Sequence, residues 1–286
     1  MARKPGAQVP KTNKRGKAPT GVKGGIDWLV VGSVAVVIAL IAGLAVYLVP
    51  KFTEKRDADQ AAAAQAERAE QVKPNVVEAF VPTVTNPDPA TKIPGVTKIY
   101  YPAGQHVSPT QRVAYDQSPP FGGPHDAIWA SCTGIVYPKP LRSENAVHAL
   151  EHGAVWVTYN PDTISPDDLE FLKLMVGGEQ YLFLSPYPGL SSPISLQSWG
   201  HQLKVDKAED PRVDQFITAL RRNTMTKIYA EDPNASAYPE TQATCGPIPG
   251  FDPSDPPAAD LGPAGPGAVP MSGVGTDSPS SPMPTN

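Results

Sequence analysis

Two histidines and a glutamate stand in the order H-x-x-E-H at His148, Glu151 and His152. This is the spacing of the inverted zinc-protease motif, in which two imidazoles bind a metal and the carboxylate acts as base. The chemistry depends on the element that carries it. On a helix, positions i and i+4 lie one above the other and can hold one ion; on a strand, four steps of about 3.3 Å separate them by roughly 13 Å. The run SENAVHALEH (143–152) contains good helix formers, offers Ser143 as a cap and meets a natural stop in Gly153, so one short helix is expected there. His125, in the loop GGPH (122–125), is the candidate third nitrogen donor, and the ion implied by three imidazoles is copper or zinc.

Hydrolysis would ask for more. A protease site needs a third protein ligand, usually a carboxylate from a second long helix, and the sequence marks none out. Glu151 is therefore catalytic only if the protein is a zinc hydrolase, and the preferred reading is metal handling or sensing without turnover. The rival account makes His148 and Glu151 hydrogen-bonded packing residues at a helix-to-strand corner, in a structural or interaction protein. His106 and His201 stand alone and read as surface or edge residues. Met175 and the tryptophans Trp129, Trp156 and Trp199 read as core or pocket wall.

These residues must be positioned in some compartment. Trp28 to Pro50 runs 23 residues without a charge, long enough as a helix to cross a hydrocarbon layer of about 30 Å and too long for the core of a cleaved signal peptide. Seven Lys or Arg precede it against the single acid Asp27. That excess places the N-terminus in the cytoplasm and everything after residue 50 outside. The net charge of -4 conceals the asymmetry, since 27 of the 28 acids lie beyond residue 50, and the bulk of the chain does not suit nucleic acid. The expected partners are the membrane and an envelope protein complex. Outside the cell, two cysteines pair more readily than they stay reduced, so a Cys132 to Cys245 disulfide is expected in preference to a copper-binding thiolate at Cys132.

Five segments follow from composition. Residues 1–26 form a basic, disordered leader, 27–50 the transmembrane helix, and 51–76 a helical stalk rich in Ala, Glu, Gln and Arg. Residues 77–250 form the extracytoplasmic domain. Residues 251–286, with nine prolines and hardly any large apolar side chains, form a disordered tail. Within the domain, strands are expected at Val96–Pro102, Ala154–Tyr159, Gln180–Pro186 and Ile194–Gly200. Helices are expected after the Ser165-Pro166 and Asp210-Pro211 starts, the second burying Val213, Phe216, Ile217 and Leu220. The fold class is α+β, a mixed sheet with packed helices.

Several runs occur here in the order PPFGGPH (119–125), W-x-x-C (129–132), VHALEHGAVWVTY (147–159), LSPYPGL (184–190), SWG (198–200) and DPR (210–212). In this the chain resembles the bacterial, largely actinobacterial, domain of unknown function 3105 family, over roughly residues 90 to 250. The resemblance implies that the family's histidines fall on His125, His148 and His152, its glutamate on Glu151 and its cysteines on Cys132 and Cys245. It lends no reaction.

Overall fold

The computed structural model describes residue 25, residues 28–259, residue 262 and residues 264–272. The expected basic leader lies outside the described residues. The chain divides after Ala63 into two compact units. The first contains most of helix α1 (Trp28–Val72), which is long and apolar enough to cross a membrane. Its Leu29, Val36, Leu40 and Leu44 are all exposed, an arrangement that water penalises and a bilayer does not. Anchor and stalk form one helix, α1 continuing through Pro50. It ends at Val72, since Pro74 disfavours helical geometry in the residue before it.

The second unit holds the α+β domain. In chain order its strands and helices are β1 (Thr97–Lys98), β2 (His106–Val107), β3 (Val113–Ala114), β4 (His125–Asp126), β5 (Thr133–Val136), α2 (Ser143–Glu151) and β6 (Val155–Tyr159). They continue with α3 (Pro166–Val176), β7 (Leu182–Pro186), β8 (Ile194–Ser198), β9 (His201–Val205), α4 (Pro211–Leu220) and β10 (Val269–Pro270). The main sheet has the order β1-β9-β8-β6-β7-β5. β5, β7 and β6 run parallel, while β8, β9 and β1 add antiparallel partners beyond β6, so the sheet is mixed as expected. Two smaller parallel pairs, β2 with β4 and β3 with β10, lie outside it.

Local chemistry explains most starts and stops. Ser165 accepts a hydrogen bond from the Asp168 amide at 3.1 Å and Asp210 from the Arg212 amide at 2.9 Å, the two expected caps. α4 buries the expected face, and Met175 on α3 is core. Every residue of β7 and β8 is buried; β7 reads as an apolar run, whereas β8 alternates apolar residues with the buried polar Ser195 and Gln197. Trp156 stacks on Phe183 in the centre, with ring centroids 5.9 Å apart. Each such fully buried large side chain contributes about 1.5 to 3 kcal/mol.

Three expectations change. Ser143 is the first residue of α2 and not its cap; the residue before the helix is Arg142, whose guanidinium pairs instead with the Asp126 carboxylate. A helix buried on every side, as α2 is from Glu144 to Glu151, is held by tertiary partners and needs no side-chain cap. His201, expected at the surface or an edge, is fully buried in β9, where Nδ1 donates to the Trp199 carbonyl at 3.0 Å and Nε2 lies 3.3 Å from Asp88. Burial pushes the Asp88 carboxyl up, but His201 and Lys98 outweigh it and hold the group below the usual carboxylate range.

The third change concerns the tail. Phe251 is buried and packs edge-on against Tyr137, and β10 pairs with β3, its Val269 amide donating to the Arg112 carbonyl at 2.8 Å. The scarce apolar residues of a proline-rich segment are the ones that dock it, so the ordered domain extends past 250 into the described parts of 251–272. The remainder of the expected tail lies outside the described residues.

Candidate metal centre

The helix expected over the H-x-x-E-H run is present, and it brings His148 and His152 together with ring centroids 4.6 Å apart. α2 ends at Glu151; Gly153 then takes φ 88°, a left-handed turn that releases the chain into the central strand β6. His125 arrives on β4, and its ring centroid lies 4.7 Å from that of His148. His106 arrives on β2, in register with His125, with its ring centroid 5.1 Å from that of His148. The residue read as isolated is therefore a member of the cluster.

Backbone carbonyls fix the orientation of three of these rings. Nδ1 of His125 bonds to the Gly123 carbonyl at 2.9 Å, Nδ1 of His148 to the Asp126 carbonyl at 2.6 Å, and Nδ1 of His152 to the Thr244 carbonyl at 2.7 Å. A carbonyl only accepts, so each Nδ1 must carry the proton and donate. In a neutral ring this leaves the Nε2 lone pair as the remaining donor atom, the arrangement by which metal-binding histidines are held.

The Nε2 atoms divide between two groups. In one, donor atoms of His106, His125, His148 and Glu151 lie within 4.8 Å of one another; in the other, so do those of His148, His152 and Glu240. The expected triplet His125, His148 and His152 is thus split. His152 directs Nε2 to Glu240 at 3.0 Å, whereas His125 directs Nε2 to Glu151 at 2.7 Å. Glu151 consequently occupies a donor position beside the imidazoles. Its other oxygen accepts the Gly104 amide at 2.7 Å.

The contact between His125 and Glu151 is close in distance yet lacks hydrogen-bond geometry, and Nε2 of this fully buried ring has no hydrogen-bond partner. With the proton on Nδ1, an imidazole lone pair and a carboxylate oxygen face each other, two electron-rich atoms that a cation between them would reconcile. The approach is tight on the backbone side as well. A Cβ at Gly104 would lie 2.0 Å from Cε1 of His125, so only glycine leaves room for this ring.

Electrostatics keep lone pairs available. Burial, followed by the repulsion a charge on His125 or His152 would exert, pushes the His148 pKa far below the usual imidazole value. Burial and His125 lower that of His106 in the same way. Glu240 is held below the usual carboxylate range by the adjacent His152 ring, against the opposing effect of burial. Neutral imidazoles beside ionised carboxylate suit a divalent cation.

A second layer stabilises the frame. The Asp126 carbonyl that holds His148 belongs to a residue whose carboxylate pairs with buried Arg142 and accepts the Ile128 amide at 2.9 Å. Trp199 stands edge-on to His125, and Trp129 packs beside His152 at 4.7 Å between ring centroids. Cys132 and Cys245 are joined, as expected, so neither offers a thiolate. Thr244 and Glu240 lie just before Cys245, and the bridge brings that segment to the end of α2.

The sequence does not mark out His106 or Glu240 as donors, and it offers Glu151 as base only if the protein is a hydrolase. For Glu240 a signal existed: an expected bridge from Cys245 to Cys132 carries residues five positions upstream toward Trp129. No comparable signal marks His106, because its placement depends on a two-residue parallel pairing.

Residues 106–245 match the family described as Protein of unknown function (DUF3105), a span that includes every donor named above. No curated protein and no solved structure matches the chain.

Proposed function

We propose, for a chain whose residues 106–245 form a DUF3105 domain, that the protein holds a divalent transition-metal ion outside the cell on His106, His125, His148 and Glu151. The observation that carries this reading is the buried face-to-face contact of the His125 lone pair with the Glu151 carboxylate, unrelieved by a hydrogen bond. Three imidazoles and one carboxylate suit zinc or copper(II), and the bonded cysteines remove the soft ligand that copper(I) favours.

Hydrolysis fits less well. Glu151 occupies a donor position in place of the water-activating one, and of the two motif histidines only His148 shares its donor group. The role is to hold or deliver the ion.

The test uses the full chain in detergent, purified without a histidine tag, stripped of metal and dialysed against zinc. One tightly held zinc per chain is the expected result. A chain that takes up none would leave the hydrogen-bonded corner as the better account.

The compartment is testable separately. An apolar helix near the N-terminus and a disulfide in the domain support an extracytoplasmic placement, and the basic excess before the helix sets its direction. Protease added to spheroplasts should degrade the domain; protection until lysis would reverse the orientation.

A further inference from the structure

His148 belongs to both donor groups, and it has one lone pair to give. Its Nδ1 is committed to the Asp126 carbonyl at 2.6 Å, so Nε2 is its only donor atom, and an imidazole nitrogen binds one ion at a time. The two groups are therefore alternative seats.

They differ in donors and in access. The inner seat adds buried His125 and Glu151 to His148, with His106 at its rim, and offers four donors. The outer seat adds His152 and Glu240 and offers three, leaving a coordination position for water. The Glu240 side chain is 34% exposed and its Oε2 reaches toward both histidines, 3.0 Å from Nε2 of His152 and 4.0 Å from Nε2 of His148. His106 at the rim of the inner seat is exposed as well but offers no carboxylate, so a hydrated cation would be drawn first to Glu240 and shed its waters in steps.

Resting on the metal reading above, we propose that one ion moves between two seats, captured by Glu240 and His152 and handed by His148 to His106, His125 and Glu151. Release runs along the same path in reverse. No bond other than those to the metal changes, and the ion keeps its charge.

The experiment is stopped-flow mixing of the metal-depleted full chain with Co2+, read through the visible bands of the bound ion. Saturation is expected at one Co2+ per chain. Glu240→Gln and His152→Ala should each slow association about tenfold while binding still saturates at one ion. Glu151→Gln should bind weakly, with a spectrum shifted toward that of a water-bearing site. Two Co2+ per chain at saturation would overturn the shared-ligand relay, as would association rates in Glu240→Gln and His152→Ala equal to that of the unaltered chain. A chain that binds no Co2+ at all would remove the metal reading itself, whereas normal binding with unaltered rates would remove the relay alone.

Discussion

Alanine in place of His148 is expected to lower the affinity for zinc by more than about a hundredfold, beyond the roughly 10- to 100-fold typical of losing a supporting partner. The reason is positional: it is the one residue that both donor groups contain, so its loss leaves neither seat intact. His152→Ala, by contrast, removes a donor from the outer group only. The control is His201→Ala, which deletes an equally buried imidazole that pairs with Asp88 away from the cluster. That variant should melt at a lower temperature and still bind zinc. If His148→Ala folds, as judged by its circular dichroism, and retains the affinity of the unaltered chain, the assignment of the ligands is wrong.

Replacing both cysteines with serine is expected to lower the melting temperature of the domain by roughly 10 to 20 °C. The bridge closes a separation of 113 residues, for which the chain-entropy estimate is about 4 to 5 kcal/mol. Domains are stable by only about 5 to 15 kcal/mol in all, so this is a large share. The loss also reaches the cluster, because the Thr244 carbonyl that orients His152 adjoins Cys245, and Glu240 lies on the same segment. Zinc should therefore associate more slowly in the serine variant even below its melting point. A double variant that melts within a few degrees of the unaltered chain would show that packing alone holds this segment.

The parts of the fold that were legible in the sequence are those whose cause is local. Ser165 and Asp210 cap their helices through amides two or three residues away, and the H-x-x-E-H run carries good helix formers with Gly153 as its stop, although tertiary partners hold the helix. The two histidines of that run, and the pairing of the cysteines, followed. What was not legible depends on contacts between distant segments. His106 becomes a donor through pairing with His125, and Glu240 through a bridge and a backbone bond that its amide makes to the Glu151 carbonyl at 3.0 Å. His201 illustrates the opposite error, since an isolated histidine looks exposed until a buried aspartate is found beside it. The start of α2 was misplaced for a related reason, its anchor being the pair Arg142 with Asp126, which no capping rule describes.

The donors span the chain from His106 to Glu240, and this has a consequence for biosynthesis. At about 5 to 20 residues per second, synthesis of the intervening stretch takes roughly 7 to 27 s. Throughout that interval the emerging chain displays solitary histidines and the unpaired Cys132 thiol, without the assembled donor groups. The outer seat, which needs Glu240, does not exist until the segment ending at Cys245 has been made and folded back. On the proposed reading, selection of an ion would therefore belong to the finished protein and would depend on what its final compartment supplies.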